Sequence, residues 1–317
     1  MVLRAFALAL LLVACGAACA AAQDQIRLAI GARGNWETAA SELGQNAGLF
    51  RKRGLVLDLL YTQGSGETQQ AVIAGSAEIG VGLGTTSVMA AFLKGAPLRV
   101  IANASTGSSE FWYVPSSSSI RSLNDAAGRT IAYSTAGASS NIVVLGFLKA
   151  HGIQAKPVAT GGTAATFTQV MTGQIDIGWS SPPFGLDAAR DGRIRIIAHG
   201  NDLPQMREQT IRVIVANEAF LNTHGDVVAR FVQAYREAIE WMYADPAAVR
   251  AYAAFAGVPK STAKQVRDEF YPHEGLRPDR ISGLDAVMAD GVAFKYLPAP
   301  LSKVQQAELF QIPSASP

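Results

Sequence analysis

A phrase that occurs twice constrains this chain most. Residues 72–86 read VIAGSAEIGVGLGTT and residues 170–183 read VMTGQIDIGWSSPP. Each copy has an apolar helical tail, a glycine and a short acidic-apolar strand, followed by a glycine and a small polar cluster. The next strand is echoed as well: Leu98-Arg99-Val100-Ile101-Ala102 matches Ile194-Arg195-Ile196-Ile197-Ala198. Helix, strand, turn, helix, strand said twice predicts two lobes of the same α/β kind. Each lobe then places a strand end and a polar turn at a shared cleft. The second turn differs because it meets another side of one ligand.

The rest of the chain fits that frame. Gln25–Gly31 reads as a buried strand, and a helix is expected from Trp36 to about Arg53, with Gly54 as its terminal glycine. Leu55–Tyr61, Ala77–Val81 and Leu98–Asn103 follow as strands, separated by helices at Thr68–Ala74 and Ser87–Leu93. A second series runs from the strand Arg129–Tyr133 through helices at Ile142–His151 and Ala164–Thr172 to the strand Gln174–Trp179. Alternating strands and helices predict mostly parallel sheets covered by helices, with ligands beyond the carboxyl ends of the strands. The chain is expected to cross between lobes near Phe111–Pro115 and to return near Arg212–Ala216, within the strand Thr210–Ala216. Beyond that strand it turns helical. Val227, Val228, Phe231, Val232, Tyr235, Ile239 and Met242 share one face, bracketed by Asp226 and Asp245-Pro246. The remainder reads as further helices and a loose tail.

These features divide the chain into residues 1–22, a first lobe from 23–112, a second lobe from 113–211, and a return to the first lobe over 212–317. The opening MVLRAFALALLLVACGAACAAAQDQ carries Arg4, an apolar run over Ala5–Val13, and then small residues. That is the pattern of a secretory signal peptide, with cleavage after Ala20 or Ala22. The run is shorter than the ~20 apolar residues a membrane span needs. A second reading is a lipobox at Leu12-Val13-Ala14-Cys15, which would lipidate Cys15. Both cysteines, Cys15 and Cys19, lie in this segment, so plain cleavage leaves no thiol for catalysis or metal binding. The formal charge of +2 then becomes +1. With no basic block, nothing points to nucleic acid or to a membrane surface.

At this point the residues resemble a known family. Gly48-x-Phe50-x-x-x-Gly54-Leu55 before a strand is similar to a signature of periplasmic solute-binding proteins of the nitrate/sulfonate/taurine class. So are Ala74-Gly75…Glu78-Ile79-Gly80 and Ser119-Ile120-x-Ser122-Leu123…Gly128-Arg129-x-Ile131. The order and spacing of these motifs cover about Gln25 to Pro259. The family also includes relatives of the thiamine-pyrimidine-precursor group. The resemblance implies a two-lobed, type II periplasmic binding-protein fold that serves an ABC permease and its ATPase, as a monomer with no cofactor. One departure stands out. Many relatives carry a Trp-x-Pro-like element where this chain has Trp179-Ser180-Ser181-Pro182, one residue longer. No ligand is transferred by the resemblance.

Candidate ligand residues cluster at the polar turns. Thr135, Gly137, Ser139, Ser140 and Asn141 surround a helix start, where free amides and hydroxyls attract anions. The plain alternative is a single serine N-cap. Ser65 with Gly66, and Thr85 with Thr86, make the same case in the first lobe; Gly162 and Thr163 repeat it in the second. Arg33 and Asn35 follow the first strand. Arg33 suits forked recognition of a carboxylate or sulfonate, or is simply a solvated turn residue. Trp36 and Trp179 either sandwich an organic ligand or belong to the core. Ser180 and Ser181 complete the second turn. The four histidines are scattered and lack metal-ligand spacing. The expected activity is capture of a small organic anion, since Trp36, Trp179, Phe111 and Phe184 exceed what nitrate alone would need. Nitrate, a pyrimidine or thiamine precursor, and a ligand-sensing role are the alternatives. An enzyme of the pyrimidine-precursor type, which the resemblance implies would need a His- and Cys-rich set, is disfavoured.

Overall fold

A computed structural model of the protein describes residues 23–313. The expected signal peptide, with Cys15 and Cys19, lies outside the described residues. Ten strands are described: β1 Asp24–Gly31, β2 Leu55–Thr62, β3 Ile79–Gly84, β4 Leu98–Thr106, β5 Phe111–Pro115, β6 Thr130–Tyr133, β7 Lys156–Ala159, β8 Gly178–Ser180, β9 Ile194–His199 and β10 Thr210–Asn217. The first sheet has the order β2-β1-β3-β10-β4. The second lobe joins β8-β5-β9 to the pair β6-β7 through a parallel bridge between Ile131 and Ile177. Its order is thus β7-β6-β8-β5-β9, the same topology. The duplicated phrase occupies β3 and β8, and the echoed strand occupies β4 and β9, so the sequence repeat is a repeat of fold.

Neither sheet is wholly parallel. β10 runs antiparallel to β3 and β4, and β5 runs antiparallel to β8 and β9. Each lobe therefore takes one strand from chain that has just crossed from the other lobe and enters its sheet in the opposite direction. The crossings themselves are residues 107–110 and 200–209. Divisions at 112/113 and 211/212 fall inside β5 and β10. All of Phe111–Pro115 belongs to the second lobe.

The first sheet is buried on both faces because its strands alternate. Ile26, Leu28 and Ile30 of β1 enter one apolar cluster, whereas Ala29 enters the other. In β10, Ile214 and Ala216 face the first cluster, and Val213 and Val215 face the second. The helix Gly225–Ala244 closes the first face as its periodicity predicts, with Val228, Phe231, Tyr235 and Met242 buried. It lies so close to the helix Trp36–Asn46 that a Cβ on Gly44 would sit 2.6 Å from Ala238 Cβ.

Several boundaries differ from the sequence reading. The helix expected over 36–53 breaks into Trp36–Asn46 and Leu49–Lys52, because Gly48 takes the left-handed conformation, φ 76°. β3 extends through the expected turn to Gly84. Gly82, φ 84°, is the extra residue of a bulge opposite Val213/Ile214, so the strand bends there and continues. Helices begin at Thr85 and Ser139, earlier than expected, drawing both polar clusters into first turns. Among the described residues of the expected loose tail, Lys303–Leu309 forms a helix and Phe310 bridges to Val100 of β4.

Candidate functional site: an interlobe cleft

A cavity of about 620 Å³ lies between the lobes, at the carboxyl ends of β1, β2, β6 and β8. Three helix N-termini point polar groups towards it. Ser65 opens the helix Ser65–Ile73, and its Oγ accepts from the Gly84 N–H at 2.8 Å. Ser139 and Ser140 open the helix Ser139–His151, whose N-cap is Ala138, so neither serine acts as the cap. Ser140 Oγ instead accepts from the Ser134 N–H at 3.0 Å. Gly162 and Thr163 open the helix Thr163–Met171. The first-turn amides of such helices have no intrahelical acceptor and favour an anionic group.

The floor is a buried charge cluster. Arg212 of β10 binds Glu37 through Nη1 and Glu110 through Nη2, and its Nε donates to Ser139 Oγ at 3.1 Å. Glu110 ends the first crossing. It also accepts from Ser139 Oγ at 2.5 Å and from Ser108 Oγ. Both carboxylates are fully buried, and Arg212 is 8% exposed. Glu37 comes from the first lobe, Ser139 from the second, Glu110 ends one crossing and Arg212 follows the other, so one guanidinium joins both lobes and both crossings. Burial by itself would raise the Glu110 carboxyl. The Arg212 charge and the two serine hydroxyls outweigh it and hold that pKa below its ordinary value. Burial would likewise lower the Arg212 guanidinium, but Glu110 and Glu37 hold it above its ordinary value.

A pH dependence follows from Glu110. A depressed folded pKa contributes stability that is complete above the ordinary Glu value of 4.5 and is lost as pH falls through the lowered value. The melting temperature is expected to fall as pH drops below about 4.5, and Glu110→Gln is expected to flatten that limb. Thermal melts of both proteins across acid pH test this; parallel limbs would refute it.

The walls are aromatic. Trp179, Phe167 and Phe184 line the second lobe's side, with Phe167 and Phe184 edge-to-face at 6.0 Å. Trp179 Nε1 donates to Thr160 Oγ1 at 3.2 Å, which fixes the indole against the cleft. Arg33 stands at the mouth with its side chain 54% exposed, stacked 4.6 Å over Phe255 and 5.4 Å from Tyr61. Asn35 donates to Ser181 Oγ at 3.0 Å, a bond from lobe to lobe that lines the cleft.

Arg33, Asn35, Ser65, Ser139, Ser140, Gly162, Thr163, Trp179 and Ser181 are thus brought together, and the other candidates are not. Trp36 is fully buried core, wedged against Tyr252 and Tyr243, because its helix turns it away from the strand ends. Thr85 Oγ1 donates to the Thr210 carbonyl at 2.7 Å, and Thr86 is buried beside Gly291, since β3 runs on and rotates both inward. Ser180 is spent on the Phe184 carbonyl at 2.7 Å. Asn141 accepts from the Gly137 N–H at 3.1 Å and from Tyr296. Gly66 and Thr135 face each other across the lobes, and Gly137 abuts Ser87. These last three form the contact between lobes beside the cavity.

That contact gives a direct prediction. A Cβ on Gly84 would lie 2.9 Å from the Gly137 carbonyl oxygen and 3.0 Å from Ala138 Cα, both backbone atoms. The Gly84 backbone, φ −64° and ψ 125°, suits any residue, so Gly84→Val burdens the interface between lobes and spares the fold. Small-angle scattering is expected to show a larger radius of gyration than wild type. An unchanged radius would mean that this contact does not set the spacing.

Sequence reasoning missed Glu37, Glu110 and Arg212. A signal was present: Arg212 interrupts the apolar run TIRVIVA, and Glu110 directly precedes FWYV. A charge inside a segment that must be buried requires a partner.

The profile described as "NMT1/THI5 like" matches residues 20–249. The chain belongs to the NMT1/THI5-like family. Solved structures agree on the architecture of this NMT1/THI5-like protein. The alkanesulfonate-binding protein SsuA from Xanthomonas axonopodis pv. citri, bound to MOPS, superposes with a TM-score of 0.77 at 20% identity, over 92% of this chain and 100% of that one. The periplasmic aliphatic sulphonate-binding protein SsuA from Escherichia coli gives 0.70 at 17% identity, over 92% and 94%. The periplasmic nitrate-binding protein NrtA from Synechocystis PCC 6803 gives 0.69 at 13% identity, over 90% and 85%. At these identities the likeness establishes the fold. No curated protein sequence matches. Among the described residues of this NMT1/THI5-like chain, no helix is long and apolar enough to cross a membrane.

Proposed function

We propose that this protein is an extracytoplasmic solute-binding protein that captures a small organic anion between its lobes and passes it to an ABC permease and its ATPase. One observation carries the reading: a cavity of about 620 Å³ between lobes, with three helix N-termini and an aromatic wall converging on it. Cavities of a few hundred Å³ or more suit small organic ligands. The binding proteins for sulfonates and nitrate that share the fold support it. Hydroxyls and amides replace the hydration of the acidic group, and the aromatic side chains cover the organic part. The lobes are residues 23–106 with 210–313, and 111–199, closing about the two crossings. Export follows from the expected signal peptide, and the ligand leaves unchanged.

Thermal unfolding of the exported chain, refolded to strip any bound solute, tests this. Alkyl and aryl sulfonates, taurine, aromatic carboxylates, nitrate and pyrimidines form the screen. A ligand at about 100 times its Kd stabilises by about 2.7 kcal/mol. The expected result is a shift confined to organic anions and recovery of the ligand intact. No shift with any of them removes the anion reading, and consumption of the ligand would make the protein an enzyme.

A further inference from the structure

The two floor carboxylates are not equivalent. Glu110 is complete: Oε1 accepts from Arg212 and Ser139, and Oε2 accepts from Ser108. Glu37 is not. Its Oε1 takes Arg212 and, at 3.5 Å, Asn35 Nδ2, while Oε2 is buried with no hydrogen-bond partner. The side chain is fully buried and borders the cleft. Asn35 and Tyr271, which both lie near this carboxylate, have partners elsewhere. Asn35 Nδ2 donates to Ser181, and the Tyr271 hydroxyl lies 3.4 Å from Ser181 Oγ. One guanidinium against two carboxylates leaves the floor a net negative charge. A buried carboxylate oxygen without a donor is costly, and a ligand that supplies the donor recovers that cost on binding.

Deepening the function proposed above, we infer that the captured solute carries an N–H-bearing nitrogen that donates to Glu37 Oε2, in addition to its acidic group. The two ends of the cavity then have opposite tasks. The helix N-termini at Ser65 and Thr163, away from the floor serine Ser139, take the acid. The Arg212 floor, held negative by Glu37, takes the amine. The aromatic wall of Trp179, Phe167 and Phe184 flanks the span between them. Glu37 is on this basis the residue that selects among organic anions, and Glu110 is the one that holds Arg212 in place.

Matched probes test it by calorimetry on the refolded exported chain. Para-aminobenzenesulfonate is paired with para-toluenesulfonate, and taurine with propanesulfonate. The first pair offers a neutral aryl amine and the second an ammonium, so the arms separate hydrogen bonding from charge. In at least one pair the amino member is expected to bind about tenfold tighter or more. Glu37→Gln is expected to bring that ratio to about one or invert it. A ratio taken within one protein cancels any general loss of stability, and the wild-type ratio decides the matter even if the variant does not fold. Equal binding of both members in both pairs overturns the inference and leaves the organic-anion reading intact, as does a ratio that Glu37→Gln leaves unchanged. Failure of all four probes to bind overturns this inference, and the organic-anion reading is then decided by the carboxylates of the wider screen.

Discussion

Replacing Arg212 by methionine is expected to cost about 3–5 kcal/mol of stability near neutral pH. Methionine reaches only as far as the Arg212 Nε position and carries no charge, so it leaves Glu37 and Glu110 buried, fully shielded from water and without their shared cation. Like charges in a low-dielectric floor cannot both remain ionised without penalty. The pH dependence reverses as well. In the wild type, Glu110 is depressed and stability is lost as pH falls. Without Arg212, burial is left largely unopposed and raises that carboxyl, so the variant's deficit shrinks as pH falls. Denaturant unfolding of both proteins near pH 7.5 and near pH 5 reads both effects. A deficit below about 1 kcal/mol, or one that grows in acid, would show that the cluster is not held by Arg212. The combined variant with Glu37→Gln and Glu110→Gln is expected to recover much of the loss, because no charge then remains unpaired.

Trp36→Ala is expected to lower stability by about 3–5 kcal/mol while changing ligand affinity of the folded protein little. The indole is fully buried, 4.7 Å from the Tyr252 ring and 5.8 Å from that of Tyr243, and its Nε1 donates to the Tyr243 hydroxyl at 3.1 Å. Those tyrosines in turn tie down backbone: Tyr252 donates to the Gly34 carbonyl at 2.7 Å, and Tyr243 to that of Tyr271 at 2.6 Å. Trp36 thus locks the C-terminal helices to the turn that carries Arg33 and Asn35. Thermal melts beside ligand titration separate the two roles. Loss of affinity with a melting temperature within about 2 °C of wild type would return Trp36 to the ligand.

The two variants together mark what could be read locally. Trp36 and Trp179 look alike in sequence: each is a tryptophan close to a polar turn at the end of a strand. One is core and the other borders the cleft, because the helix starting at Trp36 rotates its first residue towards Gly225–Ala244, whereas Trp179 sits within β8 and its indole is held by Thr160. Thr85 and Ser65 differ in the same way. Both open helices beside the cavity, but the bulge at Gly82 turns Thr85 onto β10.

The sequence by itself determined the repeated α/β unit, the strands of both sheets, the apolar face of Gly225–Ala244 and the clustering of small polar residues at strand ends. These follow from short-range rules: alternation along a strand, helical period, and glycine where the backbone needs a positive φ. Only the tertiary structure decided the direction of β5 and β10, which of the polar residues reach the cleft, and the charge cluster on its floor. Arg212 meets partners 175 and 102 positions away in the chain. A buried charge is tolerated only where distant segments converge to satisfy it, and no local pattern encodes which segments those are.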